Sequence, residues 1–511
     1  TAVPWPPPPQ RASRAPPRPT MLRRVSHAFL LRPSAAVHAF PLRRASSSSS
    51  SSSYPPAVIT AMLARATSLD DLFALRAMHA DSMEEINTSA FWTTLGRLTQ
   101  RAPRHAASLK QHNDALASAR LATLRALPSF GPRQLVNTAH GAARAKVGSL
   151  PPWDVWWDEI ARCSLPMLER LSWQHVTSLL WAFTRSNAYR PALFHAVARE
   201  VESREVERLS VELIAQIAWC FSSVGHSAPR LMLRLADAAA PHISQISTAA
   251  LSALCFTMAR ARVDSPRLHA ALVEELPSRL PECGGREVSS IFTACMAMES
   301  MAPQLKLKLL DGFAKSSEGR LEGFDARSVA AMIHVISAVP NELEHPPSVT
   351  ALLDGLIDAS SKRVDALRPA DLQSVARSLA LMTSGGRVDA QPEIFHVLAR
   401  HAAGKLGAFS DVHLWNLAWA FARAGVRSPV LFTPLAQEAL SRLDSISPSG
   451  LVALAWSFAR LDVDAPHFAS ALYEATLQRH HEFDERQTSA LHLAFVKLKV
   501  VSPTDEEPST K

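Results

Sequence analysis

Apolar residues along most of this chain recur at helical spacing, and the helical pattern itself recurs at a longer period. The unit is clearest over residues 447–483. Leu451, Leu454, Ala455 and Phe458 fall on one face of a helix. Ser447 stands where an N-cap is expected, and Pro448 occupies the first helical position, where its missing N–H costs nothing. Asp462 to Ala465 read as a turn, and Pro466 opens a second helix carrying Phe468, Leu472 and Ala475. One unit is therefore an αα-hairpin.

The segment LVALAWSFARLDVDAP, Leu451 to Pro466, shares nine of sixteen positions with LWNLAWAFARAGVRSP, Leu414 to Pro429, which lies 37 residues earlier. VTSLLWAFTRSNAYRP (Val176 to Pro191) and IAQIAWCFSSVGHSAP (Ile214 to Pro229) repeat it again, and weaker copies begin at Leu251, Val288 and Thr488. The anchor position, Trp in the best copies, falls at 181, 219, 256, 293, 419, 456 and 493. A fixed period of this length means stacked repeats, each too small to bury its own apolar face. The expected fold is all-α: an α-solenoid (superhelix) of about ten αα-hairpin repeats over residues 70–500.

Other copies begin with Ser210, Ser247, Asp325, Ser410 and Asp484 as caps. Between Asp325 and Gln391 the register loosens. There Val329, Met332, Ile333 and Ile336, and then Leu372, Val375, Ala376 and Leu379, supply the stripes, and Ser384-Gly385-Gly386 lengthens one turn. Toward the amino terminus, Asp70 to Met78 and Ile86 to Leu98 read as an imperfect first pair of helices. A clearer repeat starts near Phe130, with Leu135, Thr138, Ala139 and Ala142 in register. Residues 150–173 hold Trp153, Trp156, Trp157 and Trp173, which read as filling a gap between repeats rather than forming a ligand cage.

Charge changes the picture only at the start of the chain. Net charge is +8, but nine Arg precede the first acidic residue, Asp70; without them 45 basic residues face 46 acidic ones. The basic balance of the whole chain is thus no argument for a nucleic-acid partner, and such a site has to come from local arrangement. Residues 1–69 read as a disordered leader. From Met21, the expected initiator, the sequence is rich in Arg and Ser and free of acids, as in an organellar transit peptide. The expected address is the mitochondrial matrix, with a plastid as the alternative. Ser46 to Ser53 form a linker and residues 501–511 a disordered tail. No apolar run approaches the roughly 18 residues of a membrane span. The five Cys (163, 220, 255, 283, 295) include no CxxC pair and read as small buried hydrophobes.

Counted from the anchor, positions −5, −2, −1 and +2 point one way around the helix and −7, −3 and +4 the other. Position −3 carries Asn137, Ser178, Gln216, Ser290, Ser374 and Asn416; position +4 carries Arg144, Arg185, Arg260, Arg423, Arg460 and Lys497. Position −7 includes Arg133, Gln174, Glu212, Arg286 and Arg486. Stacking would turn these into parallel rows. The −3 amides and hydroxyls are candidates for base edges and the +4 cations for phosphates of a single strand. The competing reading is ordinary: a cation in the last turn complements the helix dipole, and polar residues belong on solvent faces. The Trp anchors point between the two sides and are expected to pack on the adjacent repeat rather than stack on bases.

The recurring L-A-W-A-F-A-R unit, with Pro ten residues past the Trp, resembles organellar octotricopeptide and heptatricopeptide repeat proteins. It is also similar to RAP and FAST-kinase-like proteins and to repeat subunits of the RNA-editing substrate-binding complex. The resemblance covers about residues 70–500 and is strongest at 172–303 and 410–500. It implies an α-solenoid that binds single-stranded RNA in an organelle, in processing, editing, stability, translation or ribosomal-RNA assembly, with other proteins of an RNA-processing complex as partners. Many such relatives end in a RAP domain, whereas this sequence reads as a polar tail after Pro503, so no cleavage activity is expected. The alternative is a HEAT- or armadillo-like protein scaffold in an organellar ribosome or RNA-processing complex. No Walker loop, HExxH, GxSxG or metal-ligand spacing occurs, so no catalytic residue, metal, cofactor or small-molecule substrate is expected. His480-His481 reads as a solvated turn.

Overall fold

The structure is a computed structural model that describes residues 54–101, 109–148, 151–339, 346–384 and 392–501. The segment read as a transit peptide, the Ser46 to Ser53 run, Gly385-Gly386 and the residues from Ser502 lie outside the described residues. Within them the chain is α-helix, short 3-10 turns and loops, without a strand. The described residues form eleven αα-hairpins and one further helix, Glu485–Lys497, slightly more than the sequence suggests. Within each of its two units successive hairpins stack on their neighbours, as in an α-solenoid of helical repeats.

The described residues fall into two compact units, one ending at Leu272 and including Met298–Ser300, the other made of Val273–Ala297 and the described residues from Met301 onward. In the amino-terminal unit the first helices of the repeats are Glu85–Arg101, Pro132–Arg144, Trp173–Arg185, Val211–Val224 and Thr248–Arg260, each packed on the next. In the carboxy-terminal unit Gly285–Met296, Ala326–Ser337, Pro369–Ser384, Asp411–Ala424, Pro448–Arg460 and Glu485–Lys497 follow the same rule. The second helices form a parallel layer beside them in each unit.

Local chemistry fixes each hairpin. All six expected caps form: the side chains of Ser210, Ser247, Asp325, Ser410, Ser447 and Asp484 each accept from the backbone N–H three residues on. Ser172 and Ser68 cap in the same way. Pro191, Pro229, Pro266, Pro303, Pro347, Pro392, Pro429 and Pro466 each open a second helix. The sixth residue past the anchor enters the left-handed region at 146, 187, 225, 262, 425, 462 and 499, where the chain reverses after the first helix. Gly225 and Gly425 take this conformation freely at φ +72°; Lys146, at φ +63°, pays a steric penalty there.

The core is the sandwich between the two layers. Val176, Leu179, Leu180 and Phe183 are fully buried, as are Val329, Met332, Ile333 and Ile336 in the looser region. Trp156 and Trp157 are completely buried, joined edge-on at 5.0 Å, with Trp92 at 5.4 Å from Trp156 and Phe183 at 5.0 Å from Trp157. Gap-filling is therefore what these tryptophans do. Adjacent first helices approach closely where residues are small: a β-carbon at Gly141 would lie 2.4 Å from the Trp92 carbonyl oxygen.

The boundary expected at residue 70 is corrected. Helix Pro56–Arg65 precedes it, with Ile59 and Leu63 fully buried, and it packs on Glu85–Arg101. Those two apolar residues, one turn apart, dock on the first repeat and make residues 56–65 part of the fold. A helix over Asn113–Ala126, the partner of Glu85–Arg101, was also hidden in an Ala- and Arg-rich stretch with few large apolar residues.

Candidate nucleic-acid interface

Positions −7, −3, 0 and +4 lie one above another on each first helix and form its solvent-side strip. In the carboxy-terminal unit this strip carries seven basic residues (Arg286, Arg327, Arg377, Arg423, Arg460, Arg486, Lys497) and no acidic one. In the amino-terminal unit it carries Arg133, Arg144, Arg185 and Arg260 against Glu212. With the whole repeat body nearly neutral, that imbalance is a local property of the strip.

The +4 residues differ in how they are held. Arg185, Arg460 and Lys497 are exposed, whereas Arg144, Arg260 and Arg423 are half-buried. Arg144 donates through Nε and Nη2 to Gln100 Oε1, at 2.9 and 2.5 Å. Burial, and then the neighbouring Arg97 guanidinium, lower its pKa from the usual arginine value. Arg460 donates to the Ala422 carbonyl oxygen at 3.0 Å and lies over the Trp456 ring, 5.6 Å from its centroid. Arg185, Arg260, Arg423 and Lys497 have neither a hydrogen-bond nor an ion-pair partner among the described residues. None of the six meets a carboxylate there.

The −3 row is less open than a helical wheel implies. Asn137, Ser178, Ser290, Ser374 and Asn416 are half-buried, and Gln216 is only 8% exposed. The Asn416 amide donates to Val412 of its own helix at 2.8 Å, which commits its N–H to the local backbone. At −7, Arg286 pairs with Asp325 at 2.6 Å.

The anchors mostly pack across repeats. Trp181 (9% exposed) stands 5.0 Å from the His140 ring of the preceding first helix, and Trp419 (7% exposed) lies beneath Arg377 at 5.9 Å. Burial first, and then the Arg144 charge, pull His140 down to about 4, so it is neutral at physiological pH.

A second set of cations went unrecognised in the sequence. At or just past the end of six second helices a long basic side chain reaches back to the turn one repeat earlier. Arg204 donates to the carbonyl oxygens of Leu168 and Leu171, Arg320 to those of Leu280, Pro281 and Cys283, and Arg363 to those of Leu321 and Glu322. Lys405 donates to Asp365 and Leu367, Arg442 to Gly407 and Phe409, and Arg479 to Leu443 and Ile446. Arg204, Arg442 and Arg479 also pair with Glu200, Glu438 and Glu482. A basic residue recurring at 320, 363, 405, 442 and 479 was the available signal.

Nothing else among the described residues suggests a reactive or metal site. No group of three or more His, Cys, Asp or Glu is arranged to hold a metal ion. All five cysteines are buried, and desolvation pushes the Cys220 thiol up to about 12. His480 and His481 are exposed. No helix of the described residues is long and apolar enough to cross a membrane. Compared with known proteins, the chain matches no protein-family model and has no significant match among curated proteins.

Proposed function

We propose that this chain binds single-stranded RNA along the solvent strip of its first helices, and that it acts in a mitochondrion, or alternatively a plastid, in RNA processing, editing, stability or translation. The observation that carries the proposal is the +4 row. Arg185, Arg260, Arg423 and Lys497 occupy the same repeat position and have no hydrogen-bond or ion-pair partner among the described residues. Within each unit, uncompensated cations on the strip repel each other, and a polyanion lying over them relieves that repulsion and releases its own counterions. The organellar setting rests on the basic, acid-free leader and on the resemblance of the repeat unit.

The half-buried −3 row favours reading the backbone more than the base edges. It also keeps a second function in view, a scaffold that takes an acidic protein surface on the same cations. The test is a triple charge reversal, Arg185→Glu, Arg423→Glu and Lys497→Glu, which touches no internal hydrogen bond. Fluorescence anisotropy with oligo(U) RNA is expected to show a loss of roughly a hundredfold, with circular dichroism and the melting curve unchanged. For the native chain, log affinity against log salt is expected to fall with a slope of about −0.7 for each phosphate contacted. An affinity that the reversal leaves intact removes the RNA reading; an acidic protein partner lost in its place establishes the scaffold.

A further inference from the structure

Three aromatic anchors, Trp219, Phe256 and Trp456, are half-buried, and Trp456 is covered by Arg460 of its own helix, which leaves two to consider. Trp219 and Phe256 sit at the same position of adjacent, mutually packed first helices, Val211–Val224 and Thr248–Arg260. Both are half-buried, whereas Trp181 and Trp419 are at most 9% exposed. Trp181 is covered by His140, Trp419 by Arg377 and Trp456 by Arg460. Over Trp219 and Phe256 no ring and no guanidinium lies among the described residues, and the Trp219 indole N–H has no acceptor there. Trp219 and Phe256, at the same position of two neighbouring first helices, thus each keep part of their surface in solvent with no ring or guanidinium stacked on them among the described residues.

The surrounding charges say what fits. One helix before Trp219, Arg185 is exposed and unpartnered; on the helix of Phe256, Arg260 is half-buried and unpartnered. At the equivalent place on the Trp219 helix stands Ser223, so a gap in the cation row coincides with the uncovered rings. The strip's one acid, Glu212, lies in the first turn of that helix, at the opposite end from Ser223. Aromatic side chains one helical turn from a row of cations match a strand whose bases stack while its phosphates run along that row.

We infer that Trp219 and Phe256 form a base-stacking subsite, on which two successive nucleobases of a single-stranded RNA lie while Arg185 and Arg260 hold the flanking phosphates. This rests on the RNA reading above but asks a separate question of it, because the phosphate row can bind without any stacking. Stacking is sequence-tolerant and strongest for purines, so the subsite favours A-rich over U-rich RNA.

The test compares the native chain with Trp219→Leu and Phe256→Leu, singly and together, against three probes: oligo(A) RNA, oligo(U) RNA and inorganic polyphosphate, which has charge but no bases. Leucine keeps apolar bulk at the repeat interface and removes the ring, and a melting curve verifies each variant. The expected result is a loss of roughly tenfold for oligo(A) per ring removed, a smaller loss for oligo(U), and unchanged polyphosphate binding. Quenching of Trp219 fluorescence by oligo(A), identified as the part of the signal missing from Trp219→Leu, is the second readout and does not depend on a variant's affinity. Native-like oligo(A) affinity in the double variant, with no Trp219 quenching, overturns the subsite and leaves phosphate binding standing. Equal loss of polyphosphate and oligo(A) binding in a folded variant also overturns it, because the rings would then be supporting the cations only. No binding of either RNA by the native chain sinks the functional reading itself, and the subsite with it.

Discussion

The two helix layers of this solenoid carry similar cations at similar helix ends and use them differently. In the second-helix layer, Arg204, Arg320, Arg363, Lys405, Arg442 and Arg479 donate to carbonyl oxygens of the preceding repeat, so each holds one hairpin to the next. In the first-helix layer Arg144 and Arg460 donate to the preceding repeat, but Arg185, Arg260, Arg423 and Lys497, also in the last turn, donate to nothing among the described residues. The helix dipole favours a cation at both places and so cannot explain the difference. What separates them is the partner, and a charge without an internal partner is available to an external one.

The strongest way to break this comparison is to cut a staple. Arg320→Met removes three charge-assisted hydrogen bonds to the Leu280, Pro281 and Cys283 carbonyls while keeping the apolar stem. A loss of about 3 kcal/mol in stability is expected by denaturant titration, with RNA affinity unchanged under native conditions. Should this variant melt normally and bind RNA poorly, the division of labour between the layers is wrong.

A smaller effect sharpens the comparison from within the first layer. The unfolded chain protonates His140 near pH 6.5, whereas burial holds the folded residue down to about 4. The unfolded state therefore binds the proton first. The stability that neutral His140 contributes is complete above about pH 6.5 and is lost as pH falls toward 4, by roughly 2 kcal/mol. His140→Phe, which keeps a ring against Trp181, is expected to flatten that part of the stability profile relative to the native chain. Identical profiles for the two proteins would mean that His140 takes up its proton equally readily in the folded and unfolded chain.

The smallest effect concerns the turn that joins the layers. Lys146 has φ +63°, where Gly225 and Gly425 occupy the equivalent position at φ +72°. Lys146→Gly is expected to raise stability by about 0.5 kcal/mol and to leave RNA binding as it was. A lower melting temperature would show that the lysine side chain contributes more than its backbone strain costs.

Much of this architecture was legible before any coordinates. The six caps, the prolines opening second helices and the stripes at Leu451, Val329 and Leu372 all depend on neighbours within one or two turns, and sequence records those directly. Helix Pro56–Arg65 was missed because its signal is short, with Ile59 and Leu63 as the only fully buried residues. The −3 row was read from azimuth alone. Azimuth gives the side of a helix but not how near the next helix comes, so it did not reveal that Gln216 is buried or that Asn416 bonds its own helix.

By itself, the sequence determined that this chain is a stack of αα-hairpins, where the capped and proline-opened helices start, and which face of them is apolar. These follow from periodicity and local hydrogen bonding, which act over a few residues and repeat with the unit. Only the tertiary structure decided which cations are committed and which aromatic rings are covered. Arg320 meets acceptors 37 to 40 residues away, and Trp181 meets His140 across two packed helices at 5.0 Å. Such pairings depend on separations of a few ångströms between repeats, and a difference of that size in the spacing of two helices leaves no trace in the period of the sequence.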